Sequence, residues 1–159
     1  MISLTFFRPK PLGWTRSFSA TLGAASWTLP HPGRYQVTTQ GGGGGGGGGS
    51  PGYEGWGGSP GGVVQTNTSL VGPVSISVGA GGAGGNGIGT SGVAGTGAPG
   101  QSSYVPGAPA VTATGGAGGA GSAGSTGYPY ATPNGGTGGT YAQPGAAGGS
   151  GYVTLKLVG

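Results

Sequence analysis

Nine consecutive glycines, Gly41 to Gly49, follow directly on an alternating segment, Arg34-Tyr35-Gln36-Val37-Thr38-Thr39-Gln40. A flexible linker usually begins after a turn and is flanked by serine or charge. This run begins where a strand pattern ends, so something holds it. Glycine loses more conformational freedom on ordering than any other residue, and 47 of the 159 residues are glycine. A chain of this kind keeps a shape only if many bare segments pack together.

Composition limits the alternatives. Hydrophobic residues make up 33% of the sequence, below the usual share of about 45–50% counted with glycine, so a conventional core cannot extend over the middle of the chain. Abundant Gly, Pro and Ser with low hydrophobicity is also the signature of disorder. Only 4% of the residues are charged, however, whereas disordered segments are rich in Lys and Glu. Neutral glycine chains repel one another little and carry free backbone donors and acceptors, which favours pairing.

The net charge of +4 comes from Arg8, Lys10, Arg16, Arg34 and Lys156 against Glu54 alone. These cations lie toward the termini and make a basic end, with at most mild attraction to an acidic surface. Arginine is not interleaved with the glycine blocks, so no nucleic-acid partner is expected. There is no cysteine, hence no disulfide or thiolate metal site. No stretch is long enough to span a bilayer, so the chain is not expected to insert in a membrane. Ile2-Ser3-Leu4-Thr5-Phe6-Phe7 is too short and polar for a secretion signal.

Two regions follow: an arm over 1–13, interrupted by Pro9-Lys10-Pro11, and a glycine-rich domain over 14–159. Strand patterns occupy 15–22, 25–29, 34–40, 73–78 and 152–157, with Pro30-His31-Pro32-Gly33 as a turn between hairpin partners. Val74, Ile76 and Val78 share one strand face, as do Val153, Leu155 and Leu157. Glycine blocks fill 41–49, 79–100, 115–127 and 135–151. Within them Gly115, Gly118, Gly121, Gly124 and Gly127 keep a three-residue spacing, as do Gly79, Gly82 and Gly85, and Gly145, Gly148 and Gly151. Three residues per turn is the period of the left-handed polyproline-type helix, rising about 3.1 Å per residue, so block 41–49 spans about 28 Å.

Collagen shares that period but needs glycine at every third residue without lapse and more proline. Ile88 and Thr90 break both registers, and doubled glycines such as Gly115-Gly116 bare two faces of each rod. The expected fold class is mainly β and irregular: a small antiparallel β-sandwich platform with packed left-handed polyglycine II helices and no α-helix. Tyrosine- and proline-bearing segments at 50–56, 101–106, 128–134 and 141–144 read as turns, several of them gathered at the far end of the rods.

The order Trp27-Thr28-Leu29-Pro30, Tyr35-Gln36-Val37-Thr38, polyglycine, then Val74-Ser75-Ile76-Ser77-Val78-Gly79 and Gly151-Tyr152-Val153-Thr154-Leu155 resembles the glycine-rich domain of phage tail-fibre and receptor-binding adhesin proteins. The likeness covers residues 17–159 and leaves the arm outside. It implies a rigid mount whose distal loops touch a bacterial surface receptor, an outer-membrane protein or a glycan, with localisation in the virion tail. Other phage tail or virion proteins are the implied second partners. A homotrimer suits tail architecture; doubled glycine faces also permit a self-packed monomer.

Aromatic side chains in exposed turns give stiff contact area at low entropic cost. Tyr53, Trp56, Tyr104, Tyr128, Tyr130 and Tyr141 are therefore receptor-contact candidates, with Glu54 beside them. The blander reading is that they cap the rod ends, and that Glu54 is a solvated turn residue. Virion attachment falls to Ile2, Leu4, Phe6, Phe7 and Trp14. One acid and one histidine form no carboxylate pair or triad, and the glycine run lacks the Lys-Ser/Thr ending of a phosphate loop. No enzyme, cofactor or metal site is expected. Competing readings are an architectural virion component binding only other subunits and, more distantly, an ice-binding protein, whose glycine-rich forms carry disulfides that this chain lacks.

Overall fold

The computed structural model describes residues 13–19, 24–89, 92–122 and 134–159. Eight strands are present among them: β1 Thr15–Ser19, β2 Ala24–Thr28, β3 Gly33–Gln40, β4 Val63–Leu70, β5 Pro73–Ser77, β6 Ser103–Val105, β7 Val111–Ala113 and β8 Tyr152–Leu157. They form two antiparallel sheets, ordered β1-β8-β3-β4 and β2-β5-β6-β7. No α-helix occurs among the described residues.

Alternation sets the core. Tyr35 and Val37 of β3 and Val153, Leu155 and Leu157 of β8 face inward and meet Val74, Ile76, Val105 and Val111 of the other sheet. Phe18 lies edge-on to Trp27 at 5.7 Å, Trp27 stacks on Trp14 at 5.3 Å, and Trp14 meets the edge of Tyr35 at 6.4 Å. The Tyr35 hydroxyl donates to the His31 carbonyl at 2.6 Å, and burial raises its pKa. A raised acid pKa means that the unfolded chain ionises first, so this tyrosine withdraws stability only once pH climbs past its ordinary range near 10.

Three expectations are corrected. Pro30-His31-Pro32-Gly33 does not join hairpin partners, because β2 and β3 lie in different sheets. Strands β4, β6 and β7 were not anticipated. β4 is an edge strand with only Thr68 and Leu70 buried, so its single buried stripe is too short to give an alternation signal, although its Val and Thr content suits a strand. Segment 101–106, expected as a turn, contains β6.

The glycine blocks are also divided more finely. Among the described residues, seven extended rods run between the platform and the opposite end: 41–49, 55–62, 79–88, 94–101, 114–122, 134–140 and 143–151. Rod 41–49 is wholly buried, and its hydrogen bonding repeats every three residues, the period of a polyproline-type chain. Gly41, Gly44 and Gly47 donate to Gly62, Ser59 and Trp56; Gly42, Gly45 and Gly48 to Gln101, Ala98 and Gly95; Gly43, Gly46 and Gly49 to Gly149, Ala146 and Gln143, all at 2.8–3.0 Å. The falling partner numbers make these three rods antiparallel to the centre. The carbonyls of the same run accept from Gly82, Gly85 and Ile88, from Gly116, Gly119 and Ser122, and from Gly136 and Gly139, at 2.8–3.1 Å. Those three rods are parallel to it. The one carbonyl left over, that of Gly41, accepts from the Asn134 side-chain amide at 3.1 Å.

Direction alternates around this ring of six, and so does donation. Each antiparallel rod gives N–H groups to both of its parallel neighbours, as Gly97 does to Gly119 and Ala98 to Ala83. The third phase of an antiparallel rod faces outward with no acceptor, and there the sequence places Pro60, Pro99 and Pro144. Proline lacks the donor that this position does not use, and its fixed φ suits an extended chain. Strand order seeds the lattice: β8, β3 and β4 lead to rods 143–151, 41–49 and 55–62, while β5, β6 and β7 lead to 79–88, 94–101 and 114–122.

A Cβ on any glycine of the central run would collide with a neighbouring carbonyl, that of Ala83 in the case of Gly45. Gly45→Ala should therefore destabilise by about 3 kcal/mol or more, whereas Ala83→Ser, on an outward face, should stay within about 0.5 kcal/mol. Proline separates the phases further. Thr96→Pro should be neutral or stabilising by up to about 1 kcal/mol, and Ala98→Pro, which deletes the bond to Ala83, should lower stability. Denaturant unfolding of the four variants checks the ordering.

Candidate functional site

The last turn of the central rod gathers the far ends of the others. Gly47, Gly48 and Gly49 bond to Trp56, Gly95, Gln143, Ile88, Ser122 and Gly139, so the two described turns next to these residues, Ser50–Tyr53 and Thr140–Gln143, share one tip. Each turn is shaped by a few residues. Ser50-Pro51-Gly52-Tyr53 is a type II turn, with proline at its second position and Gly52 at φ 78° at its third. Ser50 and Tyr53 exchange backbone bonds of 3.0 and 2.9 Å. The turn is anchored from below, where the buried hydroxyls of Ser122 and Ser50 bond at 2.8 Å.

The neighbouring turn is strained. Gln143 N–H bonds to the Thr140 carbonyl at 2.8 Å, and the two residues between them, Tyr141 and Ala142, have φ of 34° and 67°. Two successive positive φ angles define a type I′ turn, for which Asn-Gly is the preferred pair. Left-handed backbone costs an L-residue roughly 1–2 kcal/mol. Such strain is concentrated where side chains must be presented in a fixed way, and Tyr141 is 66% exposed.

Tyr53 and Tyr141 thus stand on the tip as the sequence suggests, with Glu54 half-buried beside Tyr53. Trp56 is exposed too, but on a rod and not in a turn: its amide donates to Ala120 and its carbonyl accepts from Gly47. Tyr104 lies elsewhere. It sits on β6 between Ser77 and Thr112, exposed on the platform. Tyr128 and Tyr130 lie outside the described residues, as do Ile2, Leu4, Phe6 and Phe7. Trp14 is half-buried against Trp27 and Tyr35 at the opposite end, where much of its surface is already used within the chain.

Val93, well exposed at the tip, was missed because block 79–100 reads as one rod. The available signal was the lapse of both glycine registers at Ile88 and Thr90. Among the described residues no three His, Cys, Asp or Glu side chains cluster as metal ligands. Neither protein-family models nor curated proteins give a match to this sequence.

Replacing Tyr141-Ala142 by Asn-Gly should raise stability by about 1–2 kcal/mol through relief of the left-handed strain. A higher melting temperature is the expected result; an unchanged or lower one would mean that the turn is relaxed as it stands.

Proposed function

We propose that this chain is a receptor-binding adhesin of a phage tail tip or tail fibre, displaying aromatic loops on a stiff glycine mount for attachment to a bacterial surface. The observation that carries this reading is the placement of Tyr53, Trp56 and Tyr141, all exposed, at the end of the rods away from the platform. Stiff aromatic side chains on a preorganised support lose little freedom when they bind. The resemblance to tail-fibre glycine-rich domains supports the same role, with an outer-membrane protein or glycan as the receptor, other virion proteins as the mount and the virion tail as the location.

The role is one of binding. Glu54, the sole acid, and His31, the sole histidine, lie at opposite ends, at the rod tips and in the turn after β2, so they cannot work as an acid–base pair. One chain supplies the central rod and all six neighbours, which favours a bundle complete in itself; a homotrimer would then join through the platform.

Excess purified protein should slow adsorption of the parent phage to its host cells. The triple variant Tyr53→Ala, Trp56→Ala, Tyr141→Ala should compete at least about tenfold less well, since truncating a single aromatic hot spot costs about 2 kcal/mol or more, while melting as the parent protein does. If the parent protein leaves adsorption untouched, the architectural reading replaces this one.

A further inference from the structure

The end of the platform away from the rods has a chemistry of its own. There the turn between β4 and β5 (Leu70, Val71, Pro73) and the loop between β6 and β7 (Pro106, Gly107, Ala108) enclose an open cavity of about 320 Å³. This is the lower end of the roughly 300–1,000 Å³ range of binding pockets, room for one or two side chains. Its lining is apolar apart from Ser69, and Val71 at its rim is 74% exposed.

Charge adds a second, independent feature. Arg34 is the cross-strand partner of Ser69, in the cavity wall, which places their Cβ atoms about 5 Å apart. Lys156 pairs with Gln36, two residues along β3 from Arg34, so both cations stand on the same face of their sheet as diagonal neighbours. No carboxylate side chain can neutralise them, because Glu54 is the only one in the sequence and it lies at the rod tips.

We infer that this base is a docking surface for an acidic protein segment: an aliphatic or aromatic side chain of the partner enters the cavity, and flanking carboxylates meet Arg34 and Lys156. The inference rests on the reading that the tip faces the host and the base faces the mount. A protein segment fits better than nucleic acid, because no aromatic ring lines the cavity for base stacking and two cations neutralise few phosphates.

Fluorescence anisotropy with the full chain and a labelled decapeptide of alternating glutamate and leucine tests the inference. Binding should exceed that of serine–leucine and lysine–leucine decapeptides at least about tenfold, should weaken as salt rises, and should fall about tenfold in Arg34→Glu/Lys156→Glu and, separately, in Val71→Asp, but not in Tyr141→Ala. Equal binding of the three peptides overturns the inference, as does indifference to the base variants. Preferential capture of a single-stranded DNA decamer or of phosphatidylglycerol vesicles at these residues overturns it as well. Host-adsorption competition by Val71→Asp should match that of the parent protein, so a failure at the base and a failure at the tip are read separately.

Discussion

The structure depends on one strand of backbone having no surface. Each glycine from Gly41 to Gly49 gives its N–H to one antiparallel rod and its carbonyl to a parallel rod or, for Gly41, to the Asn134 amide. Fixing a residue costs roughly 1–2 kcal/mol, with glycine at the upper end, and two hydrogen bonds return about 1 kcal/mol each. The two nearly cancel, so the run gains little as an isolated thread. Its order comes from sharing: every bond also fixes a residue of the surrounding ring, and the ring rods in turn bond to one another.

That geometry explains the sequence phase by phase. A rod buried on three sides needs glycine at every position. A parallel ring rod keeps two bare phases and carries Ala80, Ala83 and Asn86 outward; an antiparallel one carries a single bare phase toward the centre, such as Gly55, Gly58 and Gly61, and tolerates Trp56, Ser59 and Pro60 elsewhere. Outward-facing backbone groups would invite further chains, as an unpaired sheet edge does. Proline at the outward donor phase removes part of that invitation.

This phase rule also separates what the sequence makes legible from what it hides. The three-residue spacing, the bare double faces and the strands at Val153, Leu155, Leu157 and at Val74, Ile76 follow from local pattern alone. Rod 55–62 does not, since Trp56, Ser59 and Pro60 look like turn residues until their central neighbour is known. The turn at 141–144 is legible from its tyrosine and proline, but its left-handed form at Tyr141-Ala142 is not, since no glycine or asparagine announces it. The tip was legible as aromatic at Tyr53 and Tyr141. The displacement of Tyr104 to the platform was not, because a three-residue strand such as β6 carries too few alternations to be distinguished from a loop.

Amide hydrogen exchange followed by NMR tests the rod lattice most directly. The account predicts that Gly41 to Gly49 exchange at the slow, global rate without interruption, while rod 143–151 alternates by threes, with Gly145, Ala146, Gly148, Gly149 and Gly151 protected and Ala147 and Ser150 fast. Uniform rapid exchange across both segments, or protection with no three-residue rhythm in the outer rod, would contradict it.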